Sequence, residues 1–182
     1  ASGTNPYKLG SPPDFGTLYS GRALEFDGAT DYVTGGGSVT LGTIHTFSCW
    51  AYFDDITSVN IVNMDNTNYI IYVGSSGQMQ YDVGSSAAVT ATDAVTASKW
   101  QHLVVTRSGT SVNWYIDGVV DSGGVQTLSS DDNMNGTLTF GVKNSVNYFN
   151  GKLANMQLWD KVWSLSDVQY AYTHPEKLIT DN

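Results

Sequence analysis

From Arg22 onward the chain is a succession of short apolar runs, each broken after a few residues by Gly, Asn, Asp or Ser. Runs of that length bounded by turn formers are what antiparallel strands joined by tight turns require. Strands are expected at residues 23–26, 32–34, 46–53, 59–64, 69–73, 78–83, 100–107, 111–116, 138–142 and, with a break, 148–159. Alternation within 46–53 puts Phe47, Cys49, Ala51 and Phe53 on one face and Ser48, Trp50 and Tyr52 on the other, so both faces of this strand are sticky. Ser75-Ser76-Gly77 and Ser108-Gly109 have the chemistry of hairpin turns. The Ala-, Val- and Thr-rich stretch 87–98 suits a strand or a surface loop equally.

Ser164 with Asp167 three residues on predicts the capped start of one short C-terminal helix through Val168, Ala171 and Tyr172, stopped by Pro175. Pro6, Pro12 and Pro13 make residues 1–21 an expected irregular lead-in, leaving one domain over 22–182. The opening residues, Ala1 to Pro6, have neither the charged nor the apolar region of a signal peptide and no initiator methionine, so a piece of a larger polypeptide is expected.

Composition narrows the partners. Eight basic against seventeen acidic residues give a net charge of −9, which repels nucleic-acid backbones and acidic lipid surfaces. No apolar run approaches the roughly 18 residues of a membrane span, so neither nucleic acid nor membrane insertion is expected. Cys49, the sole cysteine, has no partner for an internal disulfide and reads as a small core residue. His45, His102 and His174 lie far apart, and His102 falls in a core-like strand beside Trp100, as a packed histidine would.

Three segments, in this order, resemble the laminin-G-like domains of the concanavalin A-like lectin/glucanase type. They are Ala23-Leu24-Glu25-Phe26-Asp27-Gly28-Ala29-Thr30-Asp31-Tyr32-Val33, then Lys99-Trp100-Gln101-His102-Leu103-Val104-Val105-Thr106 running on to Asn113-Trp114-Tyr115-Ile116-Asp117-Gly118, and Phe149-Asn150-Gly151-Lys152-Leu153-Ala154-Asn155-Met156-Gln157-Leu158-Trp159. The likeness covers residues 22–172 and implies an all-β, two-sheet antiparallel jelly-roll sandwich with that one helix. The run from Trp163 to Leu178 also resembles the endings of such domains in structural or tail proteins of marine bacteriophages. That second likeness implies an extracellular or virion-surface location, with other virion subunits as partners.

Glucanases of this fold work with two glutamates and an aspartate on one strand face, an acid and a nucleophile flanking the scissile bond. This chain has only Glu25 and Glu176, at opposite ends of the sequence, so no catalytic residue and no enzyme is expected. Aspartates such as Asp54, Asp55 and Asp65 leave an aspartate-dependent glycan hydrolase as a further alternative. Members of the resembled family often hold a structural calcium ion near the rim; by position Asp27, Asp31 and Asn155 would be its ligands here, with Asn155 where an aspartate is more usual. Sugars need an aromatic face plus amides and carboxylates for their hydroxyls. Asn66 with Tyr69, and Asn144 and Asn147 with Tyr148, supply that combination in two loops at strand ends. The expected function is a non-catalytic, lectin-like module that binds a glycan or polysaccharide. The alternative is a structural or decorative virion domain that contacts other protein subunits.

Overall fold

The computed structural model describes residues 23–64, 68–84, 88–143 and 145–175; the expected lead-in over 1–21 lies outside the described residues. In chain order the strands are β1 (Leu24–Asp27), β2 (Val33–Leu41), β3 (Ile44–Phe53), β4 (Val59–Met64), β5 (Asn68–Val73), β6 (Gln78–Tyr81) and β7 (Val89–Ala94). They continue as β8 (Trp100–Ser108), β9 (Ser111–Ile116), β10 (Val119–Val120), β11 (Gln126–Thr127), β12 (Met134–Phe140) and β13 (Asn150–Trp159), followed by helix α1 (Leu165–Thr173). One sheet runs β1-β13-β3-β8-β9-β10, with β11 also on β9; the other runs β2-β12-β4-β5-β6-β7. Every pairing is antiparallel. The architecture is the expected all-β jelly-roll sandwich.

Several boundaries differ from the sequence-based expectation for identifiable reasons. Strand β2 extends through three consecutive glycines to Leu41, because pairing with β12 supplies order that glycine propensity does not. The stretch 87–98 contains β7, an edge strand whose polar half obscures its alternation. The break in β13 is a bulge between Ala154 and Gln157, with Asn155 at φ 45°. Gly151 is needed where β13 meets β3, because a Cβ there would collide with the Tyr52 carbonyl oxygen.

Between the sheets Phe47, Cys49, Ala51 and Phe53 meet Ile61, Met64, Ile71, Val73, Met79 and Tyr81 in one core. Cys49 is fully buried, and burial pushes its thiol up, so it is a packing group. Outside the first sheet, α1 forms a second layer: Val168 and Ala171 pack with Trp163 on Val104 and Tyr115. Ser164 caps the helix, accepting from Asp167 N while the Asp167 carboxylate accepts from Ser164 N.

Two histidines are buried in this framework. His45 Nδ1 lies 2.8 Å from the Gly42 carbonyl and so carries the proton, leaving Nε2 to accept from the Tyr81 hydroxyl at 2.8 Å. Burial, with the Arg107 charge beside it, lowers its pKa to about 4. Burial alone lowers His102 to about 3, its Nε2 2.8 Å from Ser48 Oγ. Both rings stay neutral in the folded protein while the unfolded chain takes up protons below about pH 6.5. Stability is therefore lost as pH falls from about 6.5 toward the folded values. Asp82 and Asp117, whose carboxyls burial pushes up, act in the opposite sense, so the clean measurement is a difference. The stability advantage of wild type over His45→Gln, from urea unfolding, should narrow by about 2 kcal/mol between pH 7 and pH 4.5. An advantage that does not change with pH would contradict a neutral buried His45.

Candidate functional site

A sandwich hides two sheet faces and leaves two outward, and in this chain the two outer faces are treated differently. On the first sheet, cross-strand rows Ala154–Trp50–His102 and Gln157–Ser48–Val104–Tyr115 run under the helix and its flanking residues. Tyr172 stacks over Trp50 at 5.7 Å and over His102 at 6.2 Å. The second sheet has no described helix over it. Its outward positions alternate with the core residues Ile71, Val73, Met79 and Tyr81, and they form a row Asn60–Tyr72–Gln80–Thr90 across β4, β5, β6 and β7. One tyrosine ring between amides and a hydroxyl is the composition that a sugar surface demands.

The rim of this face is built by the segment joining β12 to β13. Past Phe140 the chain takes over from β12 as the neighbour of β4: Gly141 N donates to Ile61 O at 3.0 Å, and Asn60 N donates to Asn147 O at 3.0 Å. Lys143 and Val146 close a tight turn in which Ser145 adopts φ 57°, and Asn147, the residue after it, adopts φ 53°. Asparagine is among the few side chains that tolerate this left-handed region. Asn63, fully buried, braces the turn from beneath, its Nδ2 donating to Val142 O at 2.6 Å and to Asn60 Oδ1 at 3.2 Å. Asn60 Nδ2 is buried with no acceptor among the described residues, an unspent donor beside Tyr72.

Of the residues singled out in the sequence, Asn147 and Tyr148 stand half-buried on this rim. Asn66 and Asn144 lie outside the described residues, and of Tyr69 only the backbone is described, opposite Asn63 in β5. Strand β4 thus has the 141–148 segment on one side and β5 on the other, which joins the second expected loop to the strand carrying Tyr69. Sequence reasoning missed Asn60, Tyr72, Gln80 and Thr90. The available signal was the polar alternation Gln78, Gln80 against Met79, Tyr81, and two asparagines inside the otherwise apolar β4.

The three residues named as calcium ligands do not converge. Asp27 Oδ1 accepts from Ala29 N, Thr30 N and Asp31 N, its Oδ2 accepts from Thr30 Oγ1, and Asp31 Oδ2 accepts from Asp27 N. These backbone and hydroxyl donors, Thr30 N first, hold the Asp27 carboxyl well below the usual range. Asn155 sits five positions along β13 from Asn150, the residue opposite Asp27, a separation of roughly 16 Å along a strand. Its amide donates to Pro175 O at 2.9 Å and its carbonyl accepts from Gln157, so it ties the bulge to the end of α1. This set does not make a calcium cradle. Glu25 pairs with Lys152 at 3.5 Å, Asp55 accepts from Asn150 Nδ2 and Thr57, and Glu176 lies outside the described residues.

The bracing of the rim is testable. Replacing Asn63 by Ala leaves the buried Val142 carbonyl without its short partner and should cost about 2 kcal/mol. Amide exchange at Val146 and Asn147 should quicken more than exchange in β8 and β9. Uniform quickening across both sheets would mean that Asn63 supports the core rather than the rim.

Comparison with known proteins bears on the fold. A family model described as the concanavalin A-like lectin/glucanases superfamily, of the laminin-G type, matches residues 27–169. No curated protein matches significantly. Among solved structures, a SAP-like pentraxin from Limulus polyphemus is similar with a TM-score of 0.61 and 16% identity, over 82% of this chain and 81% of that one. Domain 4 of an extracellular arabinanase from Geobacillus stearothermophilus, solved with arabinotriose, gives a TM-score of 0.65 and 15% identity over 81% of this chain and 75% of that one. A Trypanosoma rangeli sialidase in complex with sialic acid gives 0.64 and 15% over 88% of this chain, which spans only 29% of the sialidase. Identities this low speak to the fold alone, but the family model covers most of the chain: it belongs to the concanavalin A-like lectin/glucanase superfamily.

Proposed function

We propose that this domain is a non-catalytic glycan-recognition module of an extracellular or virion-surface protein, and that it binds on the outer face of the second sheet, where Tyr72, Gln80 and Thr90 are half-buried. The observation that carries this reading is the row Asn60–Tyr72–Gln80–Thr90 lying beside the rim with Asn147 and Tyr148. A pyranose or furanose stacks its C–H face on Tyr72, while Gln80, Thr90 and the rim amides exchange hydrogen bonds with its hydroxyls. Burying a hydroxyl against unpaired amides is costly, and matched donors and acceptors make such a site selective. A small neutral oligosaccharide is the class of ligand this row suits, and the arabinanase domain of the same fold was solved with one, arabinotriose. No ion takes part in this reading.

Glycan-array binding tests it. Wild type should retain a subset of neutral glycans equally in calcium and in EDTA, and Tyr72→Ala should weaken retention at least about tenfold, the value of a lost stacking contact of ~1.4 kcal/mol. No binding to any glycan at millimolar ligand, or binding unchanged in Tyr72→Ala, would overturn the assignment. Reducing ends released from a bound polysaccharide would show an enzyme instead.

A second reading, a structural virion domain that meets other subunits, has the edge strand β2 in its favour. Eight of its nine residues are exposed and none is charged, the profile of an edge open to pairing. Sedimentation at rising concentration tests it: self-association abolished by Ser38→Lys favours that reading, and a monomer throughout counts against β2 as an interface.

A further inference from the structure

The covered sheet is not covered everywhere. One step toward the β1 end from the row beneath Tyr172 lies another complete cross-strand row, Glu25–Lys152–Tyr52–Trp100, contributed by β1, β13, β3 and β8. Tyr52, Trp100 and Lys152 are half-buried and Glu25 is exposed, so this row keeps part of its surface toward solvent. Tyr172 over Trp50 and His102 borders it on one side. The turn residues Asp54 and Asp55, tied to Asn150, border it on the other.

The row is organised. The Tyr52 and Trp100 rings meet edge to face at 5.8 Å, and Lys152 Nζ sits 5.4 Å from the Tyr52 ring centre and 3.5 Å from the Glu25 carboxylate. Trp50, Trp114 and Trp163 are fully buried, whereas Trp100 keeps part of its indole at the surface beside a donor and an acceptor. We infer that this row is a second carbohydrate-binding site, on the sheet opposite the proposed one, and that it takes a neutral pyranose chain.

The charge balance selects the occupant. Glu25 and Lys152 cancel, so the row offers no net cation to an acidic sugar, and the chain's charge of −9 opposes one. An ammonium and a carboxylate 3.5 Å apart instead match two adjacent hydroxyls, one accepting from Lys152 and one donating to Glu25. The indole and phenol supply the apolar floor against which a pyranose C–H face is desolvated. Two sites on opposite sheets would let one module bridge two glycan strands, which raises retention on a polymer without tightening either site.

This site is independent of the proposed one, and the test separates them. Cellohexaose, xylohexaose and laminarihexaose are titrated to about 10 mM into protein labelled for observation of the tryptophan Nε1–H resonances. The Trp100 resonance should shift with at least one of them in wild type and in Tyr72→Ala alike, whereas Glu25→Gln with Lys152→Met should weaken that response at least fivefold. Both replacements are at the surface and should leave the spectrum of the core unchanged. A Trp100 resonance that no oligosaccharide moves, or one that moves equally in the double variant, overturns the second site while leaving the first untouched. Loss of the response in Tyr72→Ala would assign it to the first site and equally overturn the second.

Discussion

The packing of Trp50 decides how the molecule presents itself. Strand β3 carries aromatic rings on both faces, so Phe47, Cys49, Ala51 and Phe53 can close the core only if something also covers Trp50 on the other side. The polypeptide meets that demand with α1, whose Tyr172 stacks on Trp50 and whose Val168 and Ala171 seat with Trp163 on Val104 and Tyr115. Removing an indole from water is worth a few kcal/mol, enough to fix a nine-residue helix that would not persist alone. The only helix among the described residues is thus committed to one sheet, and the outward row of the other is polar.

Inside the sandwich the chain tolerates a buried cation. Arg107 is fully buried, yet its partners are carbonyl oxygens, Gly109 O at 2.8 Å and Asp132 O at 2.9 Å, with the Tyr81 hydroxyl at 3.5 Å and its ring beneath. Carbonyl dipoles and an aromatic face are weaker compensation than a carboxylate. Burial keeps His45 neutral, and Arg107 adds to it, since a second cation bonded to the same tyrosine would face Arg107 across a low-dielectric gap. The group fixes the β3 and β8 ends against β6 and holds the 130–134 approach to β12.

The architecture was legible because its signals are local and redundant: alternation in β3, the cap at Ser164, and the motif around Gly151, whose glycine the structure explains by contact with Tyr52 O. The proposed binding faces were not, because a face is assembled from residues that share a register and not a segment. Tyr72, Gln80 and Thr90 are separated by turns in sequence and become neighbours only once β5, β6 and β7 are aligned. Position-based reasoning also placed Asn155 beside Asp27, and the bulge and the length of β13 separate them.

Low charge density gives these surfaces their character. A half-buried face rich in Asn, Gln, Thr and Tyr pays little to shed water compared with one of Lys and Glu, and its donors and acceptors are directional rather than long-ranged. Such a surface gains little from electrostatic steering, which suits partners that are uncharged, dense in hydroxyls and presented in many copies, because each contact is weak. A polysaccharide, the partner proposed above, meets those conditions, and the net charge of −9 that argues against nucleic acid does not oppose a neutral chain.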